Sequence, residues 1–241
     1  MFVSSPSSRH PHNASLLSPW LTLPLPVLAA LASIALWLLL PPGQVMHVLR
    51  EGGPVEGLTE KLYFILAAAL WFSPRQKGEW RITLALTVLL VAAGAREMDL
   101  HKSLTGFSVL KVSFYLQDRP LSTKLIALCC VGPVAAAALY LLHTQGRALW
   151  QRLRLHEPVA GNLAIFFVTL VVTKVLDRSL NILAQDFSIP SSPSTEALVS
   201  AFEEVGELSL PMIAMVARWQ YLQLRAGDPQ APAAGTTAQE G

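Results

Sequence analysis

The sequence predicts an all-α protein, a polytopic membrane bundle of about six transmembrane helices. Composition is the first reason: of 241 residues, 52% are hydrophobic and only 14% charged, whereas roughly a quarter of a soluble chain is charged. The second is that apolar runs near the length needed to cross about 30 Å of hydrocarbon recur along nearly the whole chain, leaving no stretch for a separate soluble domain. The third is that basic and tryptophan residues gather in the short segments between those runs, as they do at membrane–water interfaces.

Residues 1–19 are rich in Ser, Pro and His and are expected to stay disordered. The first apolar run, 21–40, meets no small-residue cleavage site before Pro41-Pro42-Gly43, so it reads as an uncleaved anchor. Further spans follow at 55–72, 82–95, 125–142, 159–176 and 198–217, making one membrane domain over 20–225. The span at 82–95 is short and crosses only if its helix continues through Arg96 toward His101. Pro133 and Pro211 fall inside spans, where kinks are tolerated if neighbouring helices satisfy the freed carbonyls. The tail, 226–241, is Ala, Pro, Gly, Thr and Gln and cannot bury enough surface to order itself.

Charge placement predicts orientation. Arg75, Lys77 and Arg81 flank the second connection and Arg147, Arg152 and Arg154 fill the fourth, so both connections and both termini are expected in the cytoplasm. Trp20, Trp71, Trp80, Trp150 and Trp219 fall on that same side, with Trp37 on the other. The segment 96–124 runs against the rule, with Arg96, Lys102, Lys111, Arg119 and Lys124 on the outer side. A net charge of +2 with scattered basic residues excludes nucleic acid as a partner. Adjacent Cys129 and Cys130 offer neither a disulfide framework nor a metal motif and are expected to be packed small residues.

Alternating spans bring acidic side chains to one membrane face. Glu51, Glu56 and Glu60 lead into the second span, Glu97, Asp99 and His101 close the third, Asp177 closes the fifth, and Glu203, Glu204 and Glu207 occupy the outer half of the sixth. Glu56 and Glu60 are four apart, as are Glu97 and His101, and Glu207 lies three and four residues after its neighbours, so each set shares a helix face. The expected pocket is built from Glu60, Glu97, His101, Asp177, Glu204 and Glu207, with Arg96, Lys102 and Arg178 as counter-charges. A carboxylate in the apolar zone costs up to about 2.5–3.5 kcal/mol on insertion scales, so something must compensate.

Three compensations stand side by side. Arg50, Arg96, Lys102, Lys174 and Arg178 could pair with the acids and tie helix ends together, the structural ion-pair network of a non-catalytic membrane interaction or assembly protein. A divalent metal such as Mg, Mn, Ca or Fe could be held by these hard ligands and serve a hydrolase or transferase acting on a lipid or envelope precursor. Proton or cation passage is the third, with carboxylates exchanging protons in a proton-coupled carrier. The stretch 103–122, apolar with Phe107, Leu110, Phe114 and Tyr115, is expected to lie in the bilayer interface. His47 reads as solvated in a Gly- and Pro-rich turn, and Asn162 and Thr169 as polar residues that hydrogen-bond between helices.

The string Arg96-Glu97-Met98-Asp99-Leu100-His101-Lys102, an Arg-Glu-x-Asp-x-His-Lys motif, is followed by Glu203-Glu204-Val205-Gly206-Glu207-Leu208 and Pro211, and preceded by Glu51-Gly52-Gly53-Pro54-Val55-Glu56. Together these resemble a family of uncharacterised bacterial polytopic inner-membrane proteins. The resemblance implies a bacterial inner membrane and carries no activity. Membrane hydrolases related to alkaline ceramidase need several zinc-binding histidines, and this chain has only His101 at a suitable place.

Overall fold

A computed structural model describes residues 18–50, 52–74, 78–100, 120–188 and 190–226. Every element among them is helical: α1 (Pro24–Leu39), α2 (Pro42–Val48), α3 (Pro54–Phe72), α4 (Trp80–Glu97), α5 (Leu121–Arg154), α6 (Pro158–Asp186) and α7 (Pro193–Ala226). Prolines open α1, α2, α3 and α6 within the first two helical positions, where the missing N–H has no helical partner to lose. Gly52, at φ +72°, turns the chain into α3, and its N–H donates to the Glu56 carboxylate one turn ahead.

α7 is the organising helix. It packs against α1, α2, α3 and α6, while α4 lies on α3 and α5, and α5 reaches α6, so α3 to α7 close a ring with α1 and α2 outside it. The interior is rich in small and polar side chains, Ala197, Ala201, Gly206, Ser209 and Ala217 on α7 and Asn162, Thr169 and Thr173 on α6, beside a few large ones such as Leu66, Leu210 and Ile213. Large aliphatic residues face outward instead, among them Leu28, Leu31 and Leu38 on α1, Leu128, Leu139 and Leu142 on α5, and Val168, Val171 and Val175 on α6. A water-soluble fold does the opposite, because exposed apolar belts of this extent do not persist in water. Small residues inside and aliphatic ones outside suit helices that gain nothing from burying Leu in a solvent of hydrocarbon.

Among the described residues, α5 and α6 are the two helices long and apolar enough to cross a membrane. α1 is apolar over only 16 residues. α3, α4 and α7 have 19, 18 and 34 residues but carry the acids and bases of the polar cluster, which lower their apolar character.

Several expectations are corrected. α4 stops at Glu97 and Asp99 takes a left-handed φ of 47°, so the helix does not continue past Glu97 as expected; His101, and with it the expected Glu97–His101 face, lies outside the described residues. α5 continues to Arg154, placing Arg147, Arg152 and Arg154 on a helix, not in a loop. α6 continues to Asp186, which puts Asp177 within the helix instead of at its end. His47 belongs to the last turn of α2, and Cys129 and Cys130 are exposed on α5 and not packed. Ser18 and Pro19, assigned to a disordered arm, are docked: the Ser18 carbonyl accepts a bond from Gln220 Nε2 at 3.1 Å, and Pro19 lies against Gly161 so closely that a Cβ there would come within 2.5 Å of it. Pro133 and Pro211 lie inside α5 and α7 as expected. Residues 1–17, 101–119 and 227–241, with the expected interfacial stretch, lie outside the described residues.

One buried knot fastens the chain's first helix to its last. Asn162 Oδ1 accepts the Thr22 N–H at 2.9 Å and the Thr22 hydroxyl at 2.8 Å, and its Nδ2 donates to Gln220 Oε1 at 2.8 Å. At the far end of α1, Trp37 Nε1 donates to Ser194 Oγ at 2.9 Å, and Ser33 Oγ, between them, donates to the Ala201 carbonyl at 2.8 Å. Asn162→Leu strands three buried polar groups at once and is expected to lower stability in detergent micelles by about 2 kcal/mol. An unfolding midpoint equal to wild type would show the knot to be dispensable.

Candidate functional site

Helix direction decides which side chains meet. α4 and α7 run antiparallel, so the C-terminal end of α4 lies beside the first half of α7 and its N-terminal end beside the last turns of α7. At the second junction Tyr221 Oη donates to Glu79 Oε1 at 3.0 Å and Arg225 Nη1 to Glu79 Oε2 at 3.2 Å. At the first, the carboxyl groups of Glu97 and Glu207 come close enough to act on each other.

Glu207 is the centre of that first junction. It is buried on α7, and its Oε1 pairs with Lys174 Nζ from α6. Tyr63, buried on α3, stands in the field of Glu97, Glu207 and Arg96. Arg96 pairs with the adjacent Glu97 at 3.1 Å. One turn back along α7, Glu203 is flanked by Asp177, Glu207, Lys174 and Arg96, and Glu204 by Glu203, Glu207, Glu56 and Glu97. Six carboxyl groups from four helices thus meet three cations, Arg96, Lys174 and Arg178.

The close approach of α6 and α7 makes the Lys174–Glu207 pair possible. Gly206 presents no side chain to Thr173; a Cβ there would sit 2.7 Å from Thr173 Cγ2. The neighbouring residues in each helix are Glu207 and Lys174. Bare backbone at one position therefore sets the distance between charges at the next.

The expected pocket is assembled in part. Glu97, Glu204, Glu207 and Asp177 are brought together. Glu60 is half-buried on α3 and makes no ion pair among the described residues. Of the counter-charges, Arg96 binds Glu97, while Arg178 is exposed and reaches only its neighbour Asp177, at 3.7 Å. His101 and Lys102 lie outside the described residues. Lys174 takes the central cationic place that the expected pocket gave to other residues. A lone lysine one turn short of Asp177 in an apolar helix was the available signal, because a charge at that depth needs a partner. Tyr63 carried no signal, being one aromatic in an apolar run.

Among the described residues, no three of His, Cys, Asp and Glu are grouped so as to hold a metal ion. Toward the Gln220 end the cluster gives way to Leu210, Ile213 and Ile165, all buried, which form an apolar layer between Glu207 and the Asn162 knot. The arrangement gathers more carboxyl groups than cations, a crowding of like charge that a bound proton or cation relieves.

No protein-family model matches the chain, and no curated protein or solved structure matches it either.

Proposed function

We propose that this chain is a multi-pass membrane protein, crossing the bilayer with α1 and α3 to α7, in which Glu97, Glu207 and Lys174 form the proton-binding site of a proton-coupled carrier. The observation that carries the reading is the meeting of Glu97 and the buried Glu207 beside the half-buried Lys174. A proton taken up there would sit at an address that two helices and a counter-charge define. The surplus of carboxyl groups over cations supports it, because crowded like charges are relieved by protons or a cation. The layer of Leu210, Ile213 and Ile165 would be the seal that opens when the site faces the other side.

Six spans are supported by the outward-facing aliphatic belts and by exposed Trp20, Trp71, Trp80, Trp150 and Trp219, which lie just before or within about two turns of helix ends at the Gln220 side. Placement in a bacterial inner membrane with cytoplasmic termini belongs to the same proposal, resting on the arginines of that side and on the motif resemblance. The metal-dependent hydrolase or transferase has no comparable observation behind it among the described residues.

The test is a pH gradient across liposomes holding the full chain, followed with an enclosed pH-sensitive dye. Wild type is expected to dissipate the gradient, and Glu97→Gln/Glu207→Gln to do so at least tenfold more slowly. Infrared difference spectra across a pH jump should show a carboxylic acid band that the double variant lacks. Equal rates in the two proteins, with that band unchanged, would defeat the proposal; a tightly bound metal lost only from the variant would return the cluster to metal chemistry.

A further inference from the structure

Between α4 and α5 the small side chains Ala85 and Ala137 keep the helix surfaces low and leave a groove of about 360 Å³ that Leu84, Val88 and Tyr140 also line. A second hollow of about the same volume shares Val88 and Pro133 with it and continues past Val91 to Ala92 and Cys130. The helices are antiparallel, so the groove runs from Arg81 and Tyr140 at one end to Ala92 and Cys130 at the other. Eleven residues of helix rise about 16 Å, close to the ~15 Å depth of one leaflet's hydrocarbon.

The two ends differ in chemistry. The floor is apolar apart from the Thr87 hydroxyl, whereas the mouth carries Trp80, Tyr140 and Arg81, whose guanidinium lies 5.5 Å from the Trp80 ring centre. Arg81 pairs with no carboxylate among the described residues. Trp and Tyr at that level sit where headgroups begin, and a free guanidinium there suits a phosphate.

We infer that this groove is a binding site for an anionic phospholipid, with one acyl chain lying along α4 and α5 and the phosphate held by Arg81. The inference rests on the membrane part of the proposed function and is independent of the proton site. Depth, polarity and charge change along the groove in the same order as along a lipid molecule.

The full chain, purified in mild detergent and exposed to phosphatidylglycerol or phosphatidylcholine, is to be examined by native mass spectrometry. Wild type should retain one phosphatidylglycerol in preference to phosphatidylcholine. Arg81→Gln should reduce that preference about fivefold while leaving acyl-chain binding, and Ala137→Phe, which fills the groove, should abolish retention of both lipids. Ala85→Phe provides the same blockade from the opposite wall should Ala137→Phe not fold. Wild-type headgroup preference in Arg81→Gln, or undiminished retention in the groove-filling variants, overturns the inference. So does a lipid-free dimer, which would put a second copy of the chain on the groove. Retention of the unsubstituted chain in membranes after an alkaline wash separates failure of the lipid site from failure of the membrane reading.

Discussion

Lys174→Met is expected to destabilise the protein by about 3–5 kcal/mol in micelles, because it leaves the buried Glu207 carboxyl facing Glu97 and Glu203 with its close cation gone. The loss exceeds what the pair itself contributes. Bringing two charges out of water nearly cancels their attraction, so removing both partners together is far milder than removing one. Lys174→Met/Glu207→Met should accordingly recover to within about 1 kcal/mol of wild type while being inactive in the liposome assay. Chemical denaturation of the three proteins decides the matter. A double variant no more stable than the single would mean that Lys174 and Glu207 are not energetically coupled.

The second large effect comes from a single methyl group. Gly206→Ala places a Cβ 2.7 Å from Thr173 Cγ2, inside van der Waals contact, and α6 must move away from α7 or Thr173 must change rotamer. Overpacking of this kind costs about 1–3 kcal/mol. Thr173→Ser removes the offending Cγ2 and keeps the hydroxyl that donates to the Leu170 carbonyl at 3.0 Å. Gly206→Ala/Thr173→Ser is therefore expected to regain most of the lost stability, measured by thermal unfolding in micelles. Should the double variant melt no higher than Gly206→Ala, the close approach is not what the glycine serves. Because Glu207 and Lys174 follow directly on the two contacting residues, the single variant should also slow proton movement, and the double should restore it.

The same two residues show how much could be read before folding. Helical class, the six apolar runs and the gathering of acids on one side follow from residue type and spacing, since each needs only the period of one helix and the alternation of successive ones. Glu97, Glu204, Glu207 and Asp177 were legible for that reason. Lys174 was visible as a charge in an apolar run, but its partner was not, because choosing among several acids requires the rotation of α6 against α7. That rotation is set by Gly206 and Thr173, whose meaning appears only when the helices touch. Helix ends were misjudged where apolar length was taken as helix length: α5 and α6 run on with polar residues past hydrocarbon thickness, since a helix needs backbone bonds and not apolar side chains to continue. Asp99 ends α4 by a left-handed backbone that spacing alone does not announce.

The embrace of α1 by α7, at Ser33 and Trp37, sets a timetable for biogenesis. α1 leaves the ribosome long before the residues from Pro193 onward exist, a delay on the order of 10 s at ~5–20 residues per second. Throughout that interval its small, hydroxyl-bearing face has no permanent neighbour. α7 emerges after α1 and locks it in place, so nascent chains halted before Pro193 should be substrates for quality-control proteolysis, and chains extended past Ala226 should escape it.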